Sequence, residues 1–154
     1  MFHVLMVCTG NICRSPMAEG LLKWMLPESL KSIVSVSSAG THALVGNRAE
    51  QNAIEVMEMT GIDISHHRGR LINCEFVRSS DLILVMEGRH KRYIEKMISE
   101  ISNVHLLSRF SPDDSLKDIF DPYGRHPEDY KRCAAVIHSC LEGVVAFLKR
   151  NINS

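Results

Sequence analysis

The stretch Val4-Leu5-Met6-Val7-Cys8-Thr9-Gly10-Asn11-Ile12-Cys13-Arg14-Ser15-Pro16 decides how the chain is read. Its apolar first part predicts a strand over residues 2–7, buried on both faces. A compact polar turn follows, opened by a cysteine and closed by an arginine. Ser15 suits an N-cap and Pro16 a first helical residue, so a helix is expected to open there. Backbone N–H groups of such a turn converge on an anionic guest, and the helix dipole has the same preference. The field favours thiolate over thiol at Cys8, and Arg14 can grip two oxygens of a phosphate-like group. The layout is an anion site with a nucleophile inside it.

Outward from this point the chain alternates. The first helix carries Met17, Leu21, Leu22, Trp24 and Met25 on an apolar side and stops near Leu26, before Pro27. Residues 33–37 alternate as a strand, and Ser38-Ala39-Gly40-Thr41 closes it with small residues. A helix is expected over 47–60, with Gly61 as its stop. Asn73 can cap a short turn through Phe76 and Val77. Residues 81–86 form the clearest internal strand, 88–100 an amphipathic helix through Tyr93, Ile94 and Met97, and 104–107 a short strand. Residues 108–127 form a long loop. A loop of that length in a compact domain is functional or disordered, and Phe110, Ile119, Phe120, Pro122 and Tyr123 argue against disorder. A last helix over 128–150 covers one face of the sheet. Four strands alternating with helices predict an α/β fold: one domain over 1–154, a four-stranded parallel sheet with helices on both faces. In such sheets ligands bind beyond the strands' carboxyl ends, which is where Cys8 stands.

Composition narrows the classes. The chain has 154 residues, 45% hydrophobic and 23% charged, with 18 Lys plus Arg against 18 Asp plus Glu. No bulk positive field points to nucleic acid or an acidic membrane surface. No stretch reaches the ~18 apolar residues of a membrane span, and no export signal is evident, so a cytoplasmic protein without direct membrane insertion is expected. Five cysteines in that setting read as reduced thiols. Cys74 reads as half-buried and structural. Cys133 and Cys140 read as core, two helical turns and about 10 Å apart, beyond disulfide reach. Eight histidines come without metal-ligand spacing, so no metal is expected.

A poised thiol can attack phosphorus and form a cysteinyl-phosphate. Charge on the equatorial oxygens then has to be held by Arg14 and the loop N–H groups. Ser15 can donate to Cys8 and ease its departure. The leaving oxygen needs a proton from a carboxylic acid on another segment. Asp121 is the candidate, because Pro122 stiffens its loop and its neighbours can bury it; Asp113, Asp114 and Asp118 lie in a more flexible, polar context.

The run from Cys8 to Pro16, together with Asp121-Pro122-Tyr123, resembles the low-molecular-weight protein tyrosine phosphatase family, from the first strand to the last helix. Ser38-Ala39-Gly40-Thr41, His67 with Arg70, and Leu84-Val85-Met86-Glu87 resemble its bacterial branch, which acts beside tyrosine autokinases in exopolysaccharide or capsule production. The resemblance implies that Cys8 is the nucleophile, Arg14 the phosphoryl ligand, and Asp121 the acid and then the base. It implies a phosphate-binding loop of Thr9, Gly10, Asn11, Ile12, Cys13 and Ser15, with Ser38 and His67 supporting it and Asn11 left-handed. Cys13 matches a cysteine that pairs reversibly with the nucleophile under oxidation. No cofactor or metal is implied. The expected partner is a tyrosine-phosphorylated protein, a membrane tyrosine autokinase among the candidates.

Leu44 and Gly124 stand where many relatives carry aromatic residues, so the pocket rim is less aromatic, with Tyr123 left to pack on a substrate ring. Three other functions compete. Arginine phosphatases of this fold resemble the chain but carry threonine at the position of Ile12, where an apolar wall suits a phenyl ring instead. A thiol-dependent arsenate reductase needs two relay cysteines, and Cys133 and Cys140 lie on the wrong helix for that. A silent anion-binding or redox-sensing module has no use for Asp121.

Overall fold

The structure is a computed structural model that describes residues 1–152; the last two residues of the expected 1–154 domain lie outside the described residues. β1 (Phe2–Cys8) leads through the loop into α1 (Arg14–Met25) and a single turn, α2 (Glu28–Lys31). β2 (Val34–Gly40), α3 (Gln51–Glu58), α4 (Cys74–Arg78), β3 (Leu82–Val85), α5 (Gly88–Met97) and β4 (Val104–Leu106) follow. A 3₁₀ turn (Leu107–Phe110) and the irregular 111–126 segment lead to α6 (Pro127–Ile152).

The four strands are parallel, in the order β2-β1-β3-β4. β1 is central, as its apolar run requires. Val4 and Met6 face the core shared with α1, α3 and α6, whereas Leu5 and Val7 face the one shared with α4 and α5. Helices therefore cover both faces. The chain leaves β1 toward β2 on one side and returns to β3 on the other, so the strand order reverses at the carboxyl end of β1. That is the switch point at which α/β sheets bind ligands. Among the described residues no helix is long and apolar enough to cross a membrane.

Several boundaries differ from expectation for tertiary reasons. Residues 38–40, read as a closing turn, extend β2, because Ser38, Ala39 and Gly40 pair with Met6, Val7 and Cys8. The helix expected over 47–60 begins only at Gln51: Glu50 N donates to Ile12 O at 2.8 Å, so the preceding backbone is held on the loop. Helix α5 ends at Met97, and Glu100 takes a left-handed φ of 62°. The start of the 108–127 segment is 3₁₀ instead of loop. Trp24, placed on the apolar side of the first helix, is 53% exposed, and Tyr93 stands at the surface, edge-on to the His42 ring at 5.6 Å. Asn73 caps α4 as expected, accepting from Phe76 N at 2.8 Å. Cys133 and Cys140 are fully buried and Cys74 half-buried, also as expected.

Candidate active site

The loop from Cys8 to Arg14 is shaped by what its carbonyls bond to. Cys8 O accepts from Thr41 N at 3.0 Å, Thr9 O from His42 N at 3.0 Å, Gly10 O from Leu44 N at 3.1 Å and Ile12 O from Glu50 N at 2.8 Å. Asn11 O accepts from His67 Nε2 at 2.7 Å. With five successive carbonyls tied to the 41–50 segment and His67, the peptide N–H groups are turned to the other side, around Cys8. This wrapping explains why β2 ends in small residues. A Cβ on Gly40 would overlap the Thr9 carbonyl and press on Asn11 N at 3.0 Å.

Asn11 sits at φ 59°, in the left-handed region as expected, and is fully buried. Its Nδ2 donates to Ser15 Oγ at 2.7 Å and Ser38 Oγ at 3.0 Å, and its Oδ1 accepts from Arg70 N at 2.9 Å. Ser38 Oγ in turn donates to Glu19 Oε1 at 2.7 Å, and Arg70 Nε donates to Ser38 O at 2.7 Å. Asn11 O can only accept, so His67 Nε2 carries a hydrogen directed at it, and burial holds the ring below its ordinary pKa. Ser38 and His67 thus lie where loop support was expected. Glu19, read only as a first-turn helical residue, belongs to the same network. A hollow of about 320 Å³ on its far side, lined by Glu19, Trp24, Ile64 and His67, stands apart from Cys8.

Ser15 is not the N-cap. Helix α1 starts at Arg14 with Cys13 in the cap position and no side-chain cap. The Ser15 hydroxyl lies 2.9 Å from Cys8 Sγ and accepts from Asn11 Nδ2, so its own hydrogen is left for the sulfur whenever Cys8 is a thiolate, which has none to give.

Arg14 is 1% exposed and its charge is compensated on three sides. Nη1 donates to Glu87 Oε2 at 2.7 Å and to Ile119 O at 2.7 Å, and Nη2 lies 3.5 Å from Asp121 Oδ2. Burial alone would raise the Glu87 carboxyl, but hydrogen bonds from Arg89 and Arg14, with their charges, outweigh it and bring it down to about 2. Glu87 was missed in the sequence as an anchor of Arg14. Its position just past the end of β3, beside the switch point, is the signal that could have found it.

Asp121 approaches from the long loop, over Arg14. Its Oδ1 accepts from Tyr123 N at 3.0 Å, so it forms the turn that Pro122 stiffens. The expectation that its neighbours bury it does not hold: the side chain is 43% exposed, facing the pocket mouth. Cys13 Sγ lies 3.7 Å from Tyr130 Oη, beneath the loop, and burial pushes its thiol up to about 12 despite that contact. A cavity of about 230 Å³ has Cys8 and Arg14 at its base, Ile12 and Leu44 on its walls, and Asp121 and Tyr123 at its rim. Every expected catalytic and rim residue meets in this one space. His42 joins them unforeseen.

A parallel α/β sheet with a cysteine-led loop and a buried arginine at its switch point fits one class of protein, the phosphoric monoester hydrolases. The model of the low molecular weight phosphotyrosine protein phosphatases matches residues 3–154, and the chain belongs to that family. The probable low molecular weight protein-tyrosine-phosphatase EpsP of Ralstonia solanacearum is 42% identical over 148 residues, covering 96% of this chain and 94% of that protein. The tyrosine phosphatase Wzb from Escherichia coli K30, solved with sulphate, superposes with a TM-score of 0.84 at 33% identity over 96% of this chain and 99% of its own. The YwlE arginine phosphatase from Geobacillus stearothermophilus superposes with a TM-score of 0.86 at 31% identity over 97% and 94%.

Proposed function

We propose that the chain is a cytoplasmic protein-tyrosine-phosphatase that hydrolyses phosphotyrosine through a cysteinyl-phosphate intermediate, without metal or cofactor, and acts on a tyrosine autokinase of polysaccharide production. The observation that carries the chemistry is the convergence on one pocket of a cysteine bonded to Ser15, a buried arginine, and an aspartate 3.5 Å from that arginine. The phosphoryl oxygens sit among the loop N–H groups and the Arg14 guanidinium. Cys8 sulfur attacks phosphorus as a thiolate, the ester P–O bond breaks, and Asp121 gives its proton to the departing phenolate. Water then attacks the phosphocysteine and its proton goes to Asp121. The S–P bond breaks, and Ser15 donates to the returning thiolate. Asn11, Ser38 and His67 hold the loop in the shape this requires.

Ile12 and Leu44 line the cavity with apolar surface and Tyr123 offers a ring at its rim, which supports a phenyl ester over a guanidinium. The names of relatives such as EpsP of R. solanacearum fit a part in exopolysaccharide production, and a tyrosine autokinase is the substrate that the resemblance implies. The test is hydrolysis of a phosphotyrosine peptide, a phosphoarginine peptide, and arsenate plus thiol, with wild type, Cys8→Ser and Asp121→Asn. The proposal expects metal-independent turnover of phosphotyrosine, abolished in Cys8→Ser. In Asp121→Asn, esters with poor leaving groups should slow more than activated aryl phosphates. Preferential turnover of phosphoarginine would transfer the assignment to arginine phosphatase, and full activity in Cys8→Ser would sink the intermediate.

A further inference from the structure

The residue after the nucleophile, Thr9, lies on the cavity wall and is bonded to the start of α5. The tautomer of its partner, His90, follows from the surroundings. His90 Nδ1 lies 3.2 Å from Glu87 N, and a peptide N–H can only donate, so Nδ1 carries no hydrogen. The ring is 2% exposed, and burial, with the nearby Arg14 charge, brings it down to about 4. It is therefore neutral at pH 7 with its hydrogen on Nε2, which donates to Thr9 Oγ1 at 2.8 Å. Arg89 Nη2 donates to the same oxygen at 3.0 Å, while its guanidinium is braced on Glu87. A hydroxyl has two acceptor positions and one hydrogen. Both acceptor positions of Thr9 are filled, and the hydrogen has no partner among the described residues.

We infer that Thr9 is a hydrogen-bond donor to the phosphoryl group held in this pocket, and that His90, with Arg89, is a positioning residue that leaves its hydroxyl no other role. This rests on the phosphatase reading above. The arrangement is preorganised: the hydroxyl has no competing partner among the described residues, so donating to the incoming oxygen breaks no bond within the protein. It also joins the nucleophile loop to the helix capped by Glu87, the anchor of Arg14: Glu87, Arg89, Thr9 and His90 close a ring of hydrogen bonds, to which Arg14 is attached through Glu87.

The test combines affinity for inorganic phosphate by calorimetry with kcat and KM on an aryl phosphate. Thr9→Val keeps the shape and removes the hydroxyl; it should weaken phosphate roughly tenfold or more, the loss typical of a bond to a charged group. Thr9→Ser should stay within about threefold of wild type, since it restores the same bond. His90→Gln keeps a donor near the Nε2 position and should remain close to wild type. His90→Leu should weaken phosphate, and should add nothing in a Thr9→Val background. Unchanged phosphate affinity in Thr9→Val would overturn the donor role, and additive losses in the double variant would overturn the positioning role of His90. If His90→Leu fails to fold, the Thr9→Val and Thr9→Ser pair still decides the donor. A wild type that binds phosphate but cleaves no ester would refute the phosphatase reading alone, with affinities still deciding Thr9. Intact hydrolysis with unaltered affinity in Thr9→Val would refute this inference alone.

Discussion

Replacing Glu87 by glutamine removes one charge at near-constant volume and isolates what the carboxylate does for Arg14. The guanidinium is 1% exposed and takes its shortest ionic contact, 2.7 Å, from Glu87. Moving the carboxyl from 4.5 to about 2 corresponds to at most about 3 kcal/mol of native stability. The Glu87 side chain keeps 18% of its surface open, and solvent screening brings the figure to about 1–2 kcal/mol. Asp121 and Ile119 O still face Arg14, which keeps the loss below that of a fully stripped buried charge. The pH dependence has a definite sign. A carboxyl depressed in the folded state stabilises above its unfolded value and loses that contribution as pH falls through the folded one. Glu87→Gln should therefore lower the melting temperature by about 2–8 °C at pH 7. The gap to wild type should narrow steadily below about pH 4.5 and close toward pH 2. Urea denaturation followed from pH 7 down to pH 3 measures this directly. A difference that stays constant over that range, or a glutamine variant as stable as wild type at pH 7, would refute the assignment.

Two further substitutions test how the loop is held. Gly40→Ala places a methyl group against the Thr9 carbonyl and Asn11 N, backbone atoms that cannot swing aside, so it should cost about 1–3 kcal/mol and weaken phosphate binding while the circular dichroism of the sheet is retained; unchanged phosphate affinity would show that the loop tolerates displacement. Asn11→Ala removes two donated bonds and one accepted bond and disfavours the left-handed backbone. It should lower stability by about 2–4 kcal/mol, with Asn11→Gly recovering only the backbone part, as read by thermal unfolding of the three proteins.

Much of the site is legible because it is local. The apolar run to Val7, the turn to Arg14 and the helix after it are continuous in the chain, so Cys8, Arg14 and the loop N–H groups meet at short range. Other features were misread wherever a distant partner outweighed a local preference. Ser15 has the residue type of a cap, yet its hydroxyl serves Cys8 and Asn11, because the loop folds back over the helix start. Residues 47–50 have helical composition, but Ile12 O captures Glu50 N. Asp121 was expected to be buried on the strength of neighbouring apolar residues, which turn toward α6 and leave its carboxylate at the pocket mouth.

The sequence by itself determined the strand-loop-helix unit, the alternation that makes a parallel sheet, and the residue types of a thiol-based anion site, because hydrophobic period and turn chemistry act over a few residues. Tertiary structure alone decided that β1 lies between β2 and β3, so that its carboxyl end opens at a switch point. It also decided which carboxylates flank Arg14 and what hydrogen each hydroxyl has left to give. Those outcomes depend on atoms more than 100 positions apart, as Arg14 and Ile119 are at 105, brought within 2.7 Å only when the sheet assembles.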